Sequence, residues 1–208
     1  MLMVSNVNLL KKEQNVSLLQ LQRRAWDYLR AGASNGRAPF TVMQAATIGR
    51  RGAPSVRAVV LRHVFEAEHL IDFYTDVRSE KTAEVRADPR IALVGYDPEG
   101  MVQLRLEGVA SLVTQGADKK RAWDASRLHS LVLYRTPLSP GTSIDCPDDA
   151  YPAQADGHGT DVAGYQNFCI VRVSLKTLEM LDLSVPAAHK RARYSRTGDE
   201  WTGQWIAP

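Results

Sequence analysis

Arg57-Ala-Val-Val-Leu-Arg62 decides how this chain folds. It follows a turn, Gly49-Arg-Arg-Gly-Ala-Pro54, and its β-branched pair Val59-Val60 favours an extended chain, so residues 55–62 read as a strand. Working upstream, residues 40–48 form a strand on the other side of that turn. Before it runs a loop through Asn35, Gly36 and Pro39. Leu18, Leu21, Ala25, Trp26 and Leu29 recur at helical spacing with arginines between them, which predicts an amphipathic helix ending near Gly32. The residues ahead of the helix read as a loose arm.

Downstream, residues 69–75 are the next strand and residues 79–87 a short helix with Ser79 as its cap. Pro89 leads into a strand over 91–96. Asp97-Pro-Glu-Gly100 has its residues where a type I turn wants them, and closes a hairpin onto a long strand over 101–113. Residues 117–133 predict one further helix. Residues 135–164, rich in Pro, Gly, Ser and Asp, read as a long loop of the kind that is often functional. Strands over 166–174, 188–194 and 201–206 end the chain, with a Thr197-Gly198-Asp199 turn between the last two. Many short strands with few helices predict a mostly β (α+β) fold: a small antiparallel barrel with flanking helices. The division expected is an arm and helix over 1–36 and a barrel domain over 37–208.

The chain has 208 residues, 44% of them hydrophobic, enough for one sizeable core. Its 26 basic and 23 acidic residues leave a net charge of +3, too mild to argue for nucleic acid. Cys146 and Cys169 imply no disulfide framework, which fits a reducing cytoplasm. No apolar run approaches the ~18 residues that span a bilayer, so no membrane is expected. Lys11 and Lys12 follow the apolar residues of the N-terminus where a signal peptide would have them first. The five histidines show no ligand spacing, so no metal site is expected. Gly157-His-Gly-Thr-Asp161 lacks the Lys-Ser/Thr of a phosphate loop and reads as a loop only. His189-Lys-Arg-Ala-Arg193 is a basic cluster that also suits a solvated edge strand.

Arg57 and Arg62 lie five apart, so on a flat strand they face opposite sides, and either a twist or a bulge is needed to bring both to one ligand. Gln103, Arg105 and Glu107 alternate with Val102, Leu104 and Leu106, the pattern of a half-buried strand.

Taken in order and at their spacing, five segments resemble the pyridoxamine 5'-phosphate oxidase-like family of FMN-binding split β-barrels. They are Arg57 through Arg62, Phe73-Tyr-Thr75, Ser79-Glu-Lys81, Gln103-Leu-Arg-Leu-Glu-Gly108 and the closing Trp201-Thr-Gly-Gln-Trp-Ile-Ala-Pro208. The resemblance spans residues 41–208. It implies a split barrel, a homodimer with FMN at the subunit interface, and a small-molecule substrate. It places Arg57, Val60, Leu61, Arg62, Tyr74, Thr75, Ser79 and Lys81 along FMN, with Gln103 at the ring and Arg191 as a further contact. Arginine forks and a lysine suit a phosphate, while the ring needs an apolar slot. Arg127 and His189 stand at substrate-binding positions.

The departures point to a divergent branch of the family. Glu80 replaces a basic residue, Leu181 replaces the flavin-contacting Trp, and Ala187-Ala188-His189 keeps only the His of an Arg-x-His. Trp123-Asp-Ala-Ser-Arg127 keeps only the Arg of Tyr-x-x-x-Arg, and Trp205 replaces Arg in the closing Arg-Leu-Ala-Pro. The resemblance thus implies an FMN-dependent oxidoreductase whose redox chemistry is the cofactor's own. A non-catalytic flavin carrier or sensor, a true pyridoxamine/pyridoxine 5'-phosphate oxidase, and a barrel holding a deazaflavin or a heme on His63 or His189 stay open. A charge-assisted contact from Arg57 to phosphate predicts that Arg57→Ala weakens FMN by about 2 kcal/mol or more, measured by titration.

Overall fold

The computed structural model describes residues 16–34, 36–150 and 159–208. The expected arm and the Gly157-His158 portion of the glycine-rich stretch fall outside them, apart from Val16 and Ser17.

Helix α1 (Leu18–Ser34) is followed by strands β1 (Val42–Ile48), β2 (Pro54–Phe65) and β3 (Leu70–Asp76), then helix α2 (Glu80–Ala87). Strands β4 (Arg90–Asp97) and β5 (Val102–Val113) form a hairpin, and helices α3 (Ala117–Asp124) and α4 (Leu128–Arg135) come next. A 3-10 turn (Pro147–Ala150) and helix α5 (Gly159–Asn167) precede strands β6 (Phe168–Asp182), β7 (Lys190–Thr197) and β8 (Glu200–Trp205). All pairings are antiparallel, in the order β3-β2-β1-β4-β5-β6-β7-β8, and a further β3–β6 pairing closes the first six strands into a barrel. This is the split barrel expected, mostly β with flanking helices.

Strand β6 is the seam. Its first half, through Ser174, pairs with β3 on one edge; its second half, from Thr177, pairs with β7, while β5 holds its other edge throughout. The change of partner coincides with a register shift in which Leu175 faces Gly108 and Thr177 faces Glu107, so Lys176 is the extra residue. A Cβ on Gly108 would come within 2.3 Å of the Ser174 carbonyl oxygen, so only glycine lets the strands approach here. A second shift, between Leu61 and His63 of β2, makes Arg62 the extra residue. The bulge does not bring the two arginines to one side: Arg57 follows the inward alternation of Val59 and Leu61, and Arg62 faces the other way.

Inside the barrel Met43, Leu61, Ile71, Phe73, Leu104, Leu106, Val171 and Val173 are buried. Helix α1 adds Leu21, Ala25, Trp26 and Leu29 to this core. Trp26 meets Trp201 edge-to-face with centroids 6.3 Å apart, and the Tyr194 hydroxyl donates to the Leu18 carbonyl at 2.8 Å. A second cluster forms outside the barrel, where Phe168 takes Tyr74, Trp123 and Tyr134 edge-on at 4.8, 5.5 and 5.1 Å.

Several local expectations change, among them the strand expected over 166–174, which runs on to Asp182 as β6. The helix expected over 117–133 is two, α3 and α4, because the Ser126 hydroxyl takes the Ala122 carbonyl at 2.7 Å and Arg127 is extended. Helix α5 occupies the end of the expected loop. Ser79 stands at the N-cap of α2, but its hydroxyl makes no capping bond and donates instead to the Asp76 carbonyl at 2.7 Å. Gly108→Ala is expected to destabilise the fold by about 1–3 kcal/mol, since β6 must shift to admit the methyl; urea unfolding measures it.

Candidate functional site

Where β2 bulges and β3 ends, the outer face of the barrel is left to be roofed by the break between α3 and α4. The result is a cleft of about 750 Å³. Val60, Leu61, Arg62, Tyr74, Thr75, Lys81 and Arg127 all line it, so most of the residues that the sequence assigned to cofactor and substrate share one space. His63, His129 and Tyr134 line it too, and none of these was assigned to this cleft from sequence. A smaller chamber of about 440 Å³ shares Tyr74, Thr75, Lys81 and Tyr134 and is closed by the stretch from Thr136 to Ile144. That stretch is tied down by Arg78, which grips Asp76 at 2.7 Å and donates to the carbonyls of Thr136 and Pro137, both at 3.1 Å.

The polar floor is built at the start of α2. Lys81 Nζ donates to Thr75 Oγ1 at 3.0 Å, and Thr75 Oγ1 lies 3.2 Å from Ser79 Oγ. Burial, with Arg57 nearby, pushes the Lys81 ammonium below its usual range. Above it, the Arg62 guanidinium stands 5.6 Å from the centre of the Tyr74 ring, and the Tyr74 hydroxyl lies 3.3 Å from His63 Nδ1. Burial pushes the Tyr74 and Tyr134 phenols up to about 12, so both remain hydrogen-bond donors at neutral pH. Among the described residues, Arg62, Lys81 and Arg127 have no ion-pair partner. Elsewhere Arg24, Arg78, Arg172 and Arg191 are each held by a carboxylate.

The remaining assigned residues lie apart. Arg57 is not on the cleft lining; its guanidinium is bonded to Thr47, Ser55 and Glu84. Gln103 is on β5 opposite Leu181, and Leu181 is opposite Arg191 on β7. Arg191 is held by Glu179 at 2.6 Å, and with His189 it borders a separate groove that includes Ser17 and Trp205. Glu84 and Glu179 were missed from sequence. Neither lies in a motif, and their partners are brought to them by the sheet and by α2 rather than by local spacing.

The residues present fit FMN. A partly buried lysine beside two hydroxyls suits a phosphate, and a cleft walled by Val60, Leu61, Tyr74 and Tyr134 suits a flat ring.

The chain is similar to known proteins in sequence and in fold. The family model for the FMN-binding domain of pyridoxamine 5'-phosphate oxidase matches residues 23–114. Pyridoxine/pyridoxamine 5'-phosphate oxidase 2 of Arabidopsis thaliana is 27% identical, over 80% of this chain and 86% of that one. The corresponding oxidase of Haemophilus influenzae (strain 86-028NP) is 25% identical, over 81% and 80%. The crystal structure of a pyridoxamine 5'-phosphate oxidase-related, FMN-binding protein from Nostoc punctiforme superposes with a TM-score of 0.72 at 21% identity, covering 94% of this chain and all of that one. PhzG from Burkholderia lata, solved with tetrahydrophenazine-1-carboxylic acid, gives 0.65 at 17% identity, covering 95% of each chain.

Lys81 makes one hydrogen bond, to Thr75, and has no ion-pair partner among the described residues. Lys81→Met is therefore expected to leave the stability of the flavin-free protein within about 0.5 kcal/mol or to raise it, measured by chemical denaturation. A clear loss would show that the ammonium has a structural partner.

Proposed function

We propose that the chain is a member of the pyridoxamine 5'-phosphate oxidase-like family of FMN-binding split barrels, which its similarity in sequence and fold supports, and that it is an FMN-dependent oxidoreductase acting on a small anionic molecule. One observation carries the anionic substrate. Arg62, Lys81 and Arg127 line one cleft with no carboxylate to neutralise them. One phosphate on FMN does not account for three such cations, so a second anion is expected from the substrate. Arg62 at the bulge and Arg127 at the helix break are the residues assigned to it.

FMN, when bound, supplies the hydride chemistry. The protein's part is to bind and orient. Lys81, Thr75 and Ser79 take the phosphate; Val60, Leu61 and Tyr74 flank the cofactor; the α3–α4 roof limits water. Among the described residues no helix is long and apolar enough to cross a membrane. Both cysteines are free, which supports a reducing cytoplasmic setting.

The working unit we propose is a homodimer. Gln103, Leu181 and Arg191 form a row across β5, β6 and β7, away from the cleft of their own chain. A second copy would bring that row to the flavin.

The alternative is a non-catalytic flavin carrier. Ala187 stands where an arginine would complete an Arg-x-His, which weakens the case for the oxidase substrate itself. The two readings separate under anaerobic conditions. The purified protein is expected to show a flavin spectrum, release FMN on denaturation, sediment as a dimer and bleach on adding an oxidisable anionic substrate. Bound FMN that no substrate reduces leaves the carrier reading. A protein that neither contains nor binds FMN overturns both.

A further inference from the structure

Four polar side chains meet where β1, β2 and α2 converge, beneath the cleft and outside its lining. Arg57 Nη2 donates to Glu84 Oε2 and to Ser55 Oγ, each at 2.6 Å. Arg57 Nη1 donates to Thr47 Oγ1, and Thr47 Oγ1 donates to Glu84 Oε2 at 2.5 Å. The Glu84 side chain is 1% exposed and that of Arg57 21%. Glu84 lies one helical turn beyond Lys81 on α2, but Lys81 reaches the other way, to Thr75 and into the cleft.

We propose that Arg57 is a positioning residue rather than a phosphate ligand: with Glu84 it forms a neutral, buried clamp that fixes the first turns of α2 and leaves Lys81 to meet the FMN phosphate. This rests on the FMN reading above.

The physical argument turns on Glu84. A carboxylate buried this deeply needs a cation and hydrogen bonds, and Arg57, Thr47 and Ser55 supply them. The same bonds hold its pKa down despite burial. Turning Arg57 toward a phosphate would strand that carboxylate beside Lys81. The stranded charge would then compete with the phosphate for the one ammonium. Removing Arg57 alone therefore damages phosphate binding indirectly. Removing both charges together does not.

Comparing FMN with riboflavin isolates the phosphate, because both carry the same ring. The ratio of their dissociation constants would be measured by flavin fluorescence on the flavin-free protein. Lys81→Met is expected to lower the preference for FMN by about tenfold or more, the scale of one charge-assisted hydrogen bond. Arg57→Met alone is expected to lower it as well. Arg57→Met combined with Glu84→Gln is expected to restore it to within about threefold of the parent, since a neutral pair then replaces a neutral pair. A merely structural role for Arg57 would weaken both flavins equally and leave the ratio unchanged in every Arg57 variant, which overturns the proposal. So does a double variant as low as Arg57→Met, or a Lys81→Met variant that keeps its preference. Circular dichroism and thermal melting establish folding. Should the double variant not fold, Arg57→Met combined with Glu84→Met, which likewise removes both charges, takes its place with the same expectation. A parent protein that binds neither flavin removes the functional reading itself, whereas one that binds both while the double variant stays low removes only the clamp.

Discussion

Pairing of Leu70–Asp76 with Phe168–Ser174 is the constraint on which the structure depends: β3 and β6 lie far apart in sequence, and their ladder turns an open sheet into a barrel. Closing so long a loop is entropically costly and slow, so the contacts it makes must be worth having. Phe73 opposite Val171 and Ile71 opposite Val173 put apolar pairs into the core. On the outer side the same ladder sets Asp72 opposite Arg172, with a 2.8 Å ion pair, and brings Tyr74 onto Phe168. The cleft wall is thus a by-product of closure: Tyr74 and Thr75 are where they are because β6 holds β3.

Strand β6 can serve three neighbours only by changing one of them along its length. The register shift at Gly108 and Lys176 marks the change, and a glycine lets β5 follow it at close range. Beyond it, β7 and β8 extend the sheet and give α1 a surface to cover, through Tyr194 and Trp201. The second bulge, at Arg62, does chemical rather than architectural work. It leaves Arg62 without a partner on β3, on the side of β2 that lines the cleft with Ala58 and Val60.

Much of this was legible in the sequence, and the limits have physical causes. Strands β1, β4 and β5 alternate buried and exposed positions, and period-two alternation is what a reader of sequence can see. The second half of β6 was not seen, although Leu178, Glu179 and Met180 alternate apolar and polar: Glu179 is buried with its neighbours only because Arg191 and Arg193 of β7 pair with it, a partnership that lies outside its local sequence. The α3–α4 break depends on one serine hydroxyl competing for a backbone carbonyl, a choice that composition does not reveal. In the site, Arg62, Tyr74, Thr75 and Lys81 could be named because the spacing of their segments survives in the chain. Glu84 could not, because burial of a helical carboxylate is decided by a strand that pairs elsewhere. The row of Gln103, Leu181 and Arg191 shows the same limit from the other side: its members were named, but not their distance from the cleft.

Glu80 illustrates why a departure from a family pattern must be read in three dimensions. In sequence it puts a negative charge next to the lysine assigned to a phosphate, which counts against binding. In the fold it is the first residue of α2, exposed and absent from the lining of either chamber, while Lys81 turns inward. Successive helical residues point about 100° apart, so neighbours in sequence need not share a face. An acid at the first turn is also favoured by the helix dipole. The carboxylates that do govern this site are the buried ones. Asp76 holds Arg78 and with it the cover of the smaller chamber, and Glu84 holds Arg57. Each neutralises one arginine behind the wall. No carboxylate lines the cleft itself, so its cations are open to a ligand.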